Sequence, residues 1–228
     1  MTITVRRSLV FPFIIMCLVL STTLSAQINN GSFENGSCSG GFTTLGGGST
    51  NITGWLVGGH SVDYICSYWQ ASDGARSVDL NGSGPGLVSQ SMTTVPGWTY
   101  QVDFDLSANP DTRPIRHPFF SPPFKTMTVD INGSPFETYQ IDTSFLGNTL
   151  VDMNWEPQTF YFTASGASTL VAFRSETIGY FGPAIDNVEV SLITQVCYRF
   201  TTTYTPDPSA VAALLADDNY TLGPCPAV

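Results

Sequence analysis

Positive charge is scarce in this chain: eight Lys and Arg stand against 18 Asp and Glu, a formal net charge of −10 at pH 7. Such a surface argues against nucleic acid and anionic membrane as partners, because both need a positive footprint. Histidine is nearly absent. His60 sits in a Gly-flanked turn and His117 between Arg116 and Pro118, both read as solvated loop residues. With no Gly-x-Ser-x-Gly elbow, a nucleophile has little base to activate it. The 18 acids leave many carboxylate pairs for glycoside hydrolysis, but no pair is singled out. No Cys-x-x-Cys spacing occurs, which sets a zinc site aside. Helical periodicity is missing before residue 205. Together these absences predict a non-enzyme built on strands.

The one long apolar run is Leu9 to Leu20, preceded by Arg6 and Arg7 and followed by the small, polar exit Ser21 to Ala26. Residues 1–26 therefore read as a signal peptide that is removed, with a cut after Ala26 or after Ser25. The run is short of the roughly 20 residues of a bilayer span, so the mature chain is expected to be secreted, without a membrane span. Without Arg6 and Arg7, six basic residues remain and the net charge is near −12. Cys17 leaves with the segment. Cys38, Cys66, Cys197 and Cys225 remain, an even count that predicts two disulfides in an exported chain. Three connectivities are open. Cys38–Cys66 with Cys197–Cys225 is favoured because each closes a moderate loop within one region.

What is abundant is the vocabulary of strands and tight turns. The organising stretch is Ser61 to Gly82, two alternating runs joined through Tyr68-Trp69 and a turn at Ser72-Asp73-Gly74. Before it, Gln27 to Glu34 reads as a short edge strand and residues 36–51 as an irregular loop, while Ile52 to Val57 carries Trp55, read as core, before Gly58-Gly59 turns into the organising stretch. After it, Leu87 to Met92 and Thr99 to Ala108 read as strands, the latter with Tyr100, Val102, Phe104 and Leu106 on one face. A Pro-rich loop, Asn109 to Phe124, interrupts before alternation resumes at Met127, Val129 and Ile131. Four more strands are read at Phe136–Ile141, Gln158–Thr163, Ser168–Ser175 and Ala184–Leu192. This spacing predicts an all-β antiparallel sandwich or barrel over residues 27–192. Residues 193–228 form a Cys-bracketed C-terminal extension, with a possible strand at Cys197–Tyr204 and a short helix starting at Asp207-Pro208.

Two sets of residues could carry function. Glu34 and Asp186 are candidate ligands of a structural Ca²⁺ if the first and last strands are neighbours, since oxygen-rich coordination suits that ion. Asp186 interrupts an apolar strand, and a buried carboxylate needs a cation, an arginine (Arg76 or Arg174) or several turn donors. Tyr68, Trp69, Tyr180 and Phe181 lie beside turns, where partly exposed rings could stack on sugar faces. Arg113 and His117, on the long loop, join them as candidate polar contacts.

The motifs NGSFENG (Asn30–Gly36), SVDYI (Ser61–Ile65), YWQASDGARSVDLNGSGPG (Tyr68–Gly86), FDLSANPD (Phe104–Asp111) and YFGPAIDNVEV (Tyr180–Val190) closely resemble the secreted choice-of-anchor C family. That family is related to plant cell-wall proteins of domain-of-unknown-function family 642. The resemblance spans Ile28 to Leu192. It implies a galactose-binding-like jelly roll, an extracellular or cell-wall location and no known catalysis. In similar carbohydrate-binding modules a first-strand Glu and a last-strand Asp hold Ca²⁺, which maps onto Glu34 and Asp186. The loop at Thr112–Phe124 looks longer than usual, and the tail stands where relatives often carry a sorting anchor. The function expected is binding of an extracellular or cell-wall polysaccharide or glycoconjugate. The alternative is a structural or adhesive protein that assembles with itself or with cell-wall or matrix proteins.

Overall fold

A computed structural model describes residues 28–111, 121–198, 201–205, 214–215 and 220–223. The proposed leader 1–26, Arg113, His117, Cys225, the Cys197 side chain and most of the expected C-terminal helix lie outside the described residues.

Eleven strands build two antiparallel sheets. They are β1 (Phe42–Gly46), β2 (Leu56–Gly59), β3 (Ser61–Ile65), β4 (Ser77–Asp79), β5 (Gly86–Thr93), β6 (Thr99–Ala108), β7 (Phe124–Ile131), β8 (Ser134–Asp142), β9 (Glu156–Thr163), β10 (Ser168–Ser175) and β11 (Pro183–Leu192). The larger sheet has the order β1-β3-β4-β11-β6-β9 and the smaller β2-β5-β10-β7-β8. From β4 to β11 the chain deals eight consecutive strands between the sheets as 4-11-6-9 and 5-10-7-8, which is the double Greek key of a jelly roll. β12 (Thr194–Tyr198), β13 (Thr201–Thr205) and β14 (Tyr220–Leu222) make a separate small sheet in the extension. No helix among the described residues is long and apolar enough to cross a membrane.

The core follows from the alternation. In β6 the side chains of Tyr100, Val102, Phe104 and Leu106 are buried while Gln101, Asp103 and Asp105 are partly exposed. Phe104 sits at the centre, edge-on to Tyr139 at 5.3 Å, to Phe173 at 5.1 Å and to Phe160 at 6.3 Å between ring centroids. Such edge-to-face packing adds to the area that the rings bury. Trp55 is 1 % exposed, as its reading as core required, and its Nε1 donates to the Asn30 carbonyl.

Several expectations need correction. Gln27–Glu34 is not an edge strand: the described part, from Ile28, is a run of turns with Asn30 and Phe33 at positive φ, held by Asn30 side-chain bonds to Asn35 and Thr53. Residues 36–51 are not all loop, because Phe42–Gly46 pairs with β3 from Phe42↔Ile65 to Gly46↔Ser61. Within Ile52–Val57 only Leu56 and Val57 enter a strand; Ile52 forms an isolated bridge with Gly36. β3 and β4 pair as expected, but through an eleven-residue connection over residues 66–76 instead of a tight hairpin. One helical turn, α1 (Thr143–Leu146), does occur, N-capped by Asp142 and closed by Gly147 at φ 69°. The expected strand at Cys197–Tyr204 is two, β12 and β13.

Replacing Phe104 by Ala removes the ring on which three others rest. We expect unfolding free energy in urea to fall by about 3–5 kcal/mol with an unchanged denaturant slope.

Candidate functional site

The outer face of the larger sheet carries the site. Because β3 and β4 alternate, Val62, Tyr64 and Val78 face the core, while Asp63 and Asp79 point outward and stand opposite each other in register. Thr44 of β1 lies beside Asp63 and donates to its Oδ1 at 2.6 Å. Two like charges directly across a strand pair disfavour each other. Burial pushes the Asp63 carboxyl up to about 6, with the Thr44 bond opposing.

Asp79 is wholly buried and collects three donors: Asn109 Nδ2 at 2.8 Å, Asn81 N at 2.9 Å and Gly182 N at 3.0 Å. Burial raises it to about 8 despite them, and Asp63 adds to the rise. Asn81 in turn donates to the carbonyls of Thr177 and Gly179, both at 2.8 Å. Lys125, the single lysine of the chain, extends the inward phase of β7 and is fully buried. Its Nζ donates to Ser121 Oγ and to the carbonyls of Phe181 (2.8 Å) and Asp111 (3.2 Å). Burial lowers this amine to about 8, with Asp79 and Asp111 pulling the other way. Asp79, Asn81 and Lys125 thus pin the loop over residues 176–182, which carries Tyr180 and Phe181.

The facing wall comes from the 66–76 connection. A disulfide joins Cys38 to Cys66, Cα atoms 5.8 Å apart, and ties the entry of β1 to the exit of β3. Phe42 and Tyr68 meet edge-on at 5.5 Å, and Tyr68 meets Trp69 at 5.8 Å. Trp69 is only 5 % exposed, so its expected exposure is corrected: the ring packs with Ile65, Met153 and Ala184, and Nε1 donates to Ser77 Oγ at 2.8 Å. The loop at residues 148–155 clasps it from outside, through Gln70 N to the Leu150 carbonyl and Trp155 Nε1 to the Gln70 carbonyl.

Between these walls lie two adjoining hollows. One of ≈ 230 Å³ is bounded by Phe42, Thr44, Asp63, Gly82, Ser83, Tyr180 and Phe181. A narrower one of ≈ 80 Å³ adds Ile65, Tyr68, Trp69, Asp79 and Asn109, sharing Phe42, Asp63 and Phe181 with the first. Four candidates named from sequence, Tyr68, Trp69, Tyr180 and Phe181, are brought together here. Phe42, Asp63, Asp79 and Lys125 were missed. The paired Val-Asp steps of β3 and β4, and a lysine in the inward phase of β7, were the available signals. A further hollow of ≈ 290 Å³ over β2 and β5 is lined by no charged residue and by a Trp55 that is buried.

Glu34 and Asp186 hold the same turn from two sides. Asp186 Oδ2 accepts from Ser72 N at 2.8 Å and Asp73 N at 3.0 Å, while Glu34 Oε1 accepts from Ala75 N and Arg76 N, both at 2.8 Å. Neither Arg76 nor Arg174 pairs with Asp186. Arg76 reaches the Gly36 carbonyl and Tyr64 Oη, and Arg174 forks onto Asp130. A bulge after Asp186, with Asn187 at φ 50°, returns Val188 to the core and lets the N-terminal segment dock through Val188 N to the Gly31 carbonyl. Asp186 is fully buried, accepts only backbone N–H groups, and is raised to about 7 by burial. Carboxylate oxygens such as these and those of Glu34 are the donors that a hard cation takes. No third acid joins them, since the described residues contain no group of three or more His, Cys, Asp or Glu arranged for a metal.

Fold and site define a jelly-roll β-sandwich with an aromatic-walled, carboxylate-floored cavity on one face. The chain belongs to the family described as protein of unknown function (DUF642), whose sequence model matches residues 26–191. It is also 30% identical over 189 residues to halomucin of Haloquadratum walsbyi, an alignment covering 74% of this chain and 2% of that protein. Among solved structures it is similar to a family 35 carbohydrate-binding module from Clostridium thermocellum (TM-score 0.43, 11% identity, 65% of this chain and 97% of that one). It is similar also to a family 61 module in complex with β-1,4-galactotriose (TM-score 0.41, 13% identity, 73% and 98%). Arthrobacter globiformis T6 isomalto-dextranase complexed with panose gives a TM-score of 0.41 at 16% identity, over 68% of this chain and 24% of that one.

Asp63 holds its proton more tightly folded than unfolded, so its ionisation works against the fold. That penalty is absent below the ordinary value of 3.8, grows as pH rises towards about 6, and stays constant above. Asp63→Asn should remove this fall, so that melting temperature compared with wild type gains across that window and levels off above it.

Proposed function

We propose that the chain is an exported, non-catalytic protein that binds polysaccharide in this cavity, and that it belongs with the choice-of-anchor C relatives. One observation carries the reading: Phe42, Tyr68, Tyr180 and Phe181, from three separate segments, converge on hydrogen-bonding carboxylates. Sugar rings offer apolar C–H faces to such rings and hydroxyls to such acids. The Cys38–Cys66 disulfide supports an oxidising, extracellular setting, in line with the leader-like residues 1–26. Calorimetric titration against a panel of neutral wall oligosaccharides tests it. Tyr68→Ala and Phe181→Ala should each weaken binding about fivefold or more. A panel without a single binder would end this reading.

The reading includes a structural Ca²⁺ held by Glu34 and Asp186, whose charge would offset the buried Asp186 carboxylate and fasten the turn at residues 72–76. Adding Ca²⁺ to chelator-treated protein should raise the melting temperature by about 5 °C or more, and Glu34→Gln should abolish the rise. A melting curve indifferent to Ca²⁺ would leave the turn's N–H groups as sole partners of Asp186.

A further inference from the structure

We infer that the cavity prefers a sugar carrying a protonated amine over a neutral one and rejects a uronate. The inference rests on the carbohydrate reading above and names the ligand class.

The argument is electrostatic and geometric. Among the described residues, the acidic groups lining the two hollows are Asp63 and Asp79, and no cation lines either. Lys125 lies behind the wall, fully buried, with its donors directed at Ser121 Oγ and the Asp111 and Phe181 carbonyls. Arg76 and Arg174 are turned to other partners. A sugar carboxylate entering here would meet the Asp63 carboxylate in a partly desolvated setting, with no counter-ion among the described residues to receive it.

An ammonium meets the opposite. Asp79 already takes three donors, whereas Asp63 takes one, from Thr44 on Oδ1, and its Oδ2 has no donor among the described residues. Asp63 borders both hollows, as do the rings of Phe42 and Phe181. Aromatic faces carry negative potential and attract a cation placed over them. An amine on a pyranose would therefore find a carboxylate acceptor and ring faces together, and the rings would keep water from screening the pair.

The test compares three tetrasaccharides with one β-1,4-linked backbone: glucosamine, glucose and glucuronate. Titration calorimetry at low ionic strength, with the amine protonated and Asp63 ionised, uses wild-type protein and Asp63→Asn. The glucosamine oligomer should bind wild type about tenfold more tightly than the glucose oligomer, and the glucuronate oligomer not measurably. In Asp63→Asn the amine-to-neutral ratio should fall towards one. A preference that survives in Asp63→Asn belongs to the negative surface as a whole and overturns the inference. Equal wild-type affinities for amine and neutral oligomers, or measurable glucuronate binding, overturn it while leaving the carbohydrate reading intact. If none of the three binds, both fall. The wild-type ratios decide the matter even if Asp63→Asn does not fold.

Discussion

A carboxyl group placed where water cannot reach must be satisfied by the protein, and Asp79 makes that constraint organise one face of this sandwich. Its three N–H partners come from three places in the chain: Asn81 just after β4, Asn109 at the end of β6, and Gly182 at the start of β11. Leaving a buried polar group without a partner costs on the order of 1–3 kcal/mol, more when it is charged. The loops over the sheet are therefore drawn to a shared point. Gly182 has no room for a side chain, since a Cβ there would sit 2.3 Å from Asn81 Oδ1 and 2.8 Å from Asp79 Oδ1. The backbone itself, and not a longer side chain, supplies the donor.

Asp186 and Glu34 repeat the device at the neighbouring 66–76 connection, offering carboxylate oxygens to N–H groups of a turn that no strand partner satisfies. A turn of irregular backbone lying on a sheet has donors that need acceptors, and here two acids from opposite ends of the domain provide them. Both walls of the cavity are thus rigid for a physical reason, although each is a loop. The disulfide strengthens one wall, and the Lys125 bond to the Phe181 carbonyl strengthens the other. A preorganised aromatic cleft loses little conformational entropy when a ligand enters.

Strand identity was legible wherever one face is wet and the other dry. The alternation of Thr99–Ala108 and Ser168–Ser175 was readable to the residue, and the reading of Trp55 as core held. β1 was not legible, because Phe42–Gly46 is an edge strand rich in Thr and Gly with one buried side chain, Leu45. The first segment reads as a short edge strand with Asn-Gly inside it, yet the Asn30 side chain bonds Asn35 and Thr53 and the backbone runs through turns instead of a ladder. Turn-side aromatics were visible as a class, but Trp69 was misjudged, since its burial depends on Met153 arriving from a loop more than 80 residues away.

By itself the sequence determined the class of fold, the acidic character and the residue types available for recognition. All of these follow from local alternation, turn chemistry and composition, which act over a few residues. Which acids would face one another, and which rings would share a cavity, was decided only by the tertiary structure. Asp63 and Asp79 oppose each other through strand register, while Phe42, Tyr68 and Phe181 meet through the jelly-roll crossing and one disulfide. Register and crossing are settled by packing the whole core at once, and no short stretch of the chain contains that information.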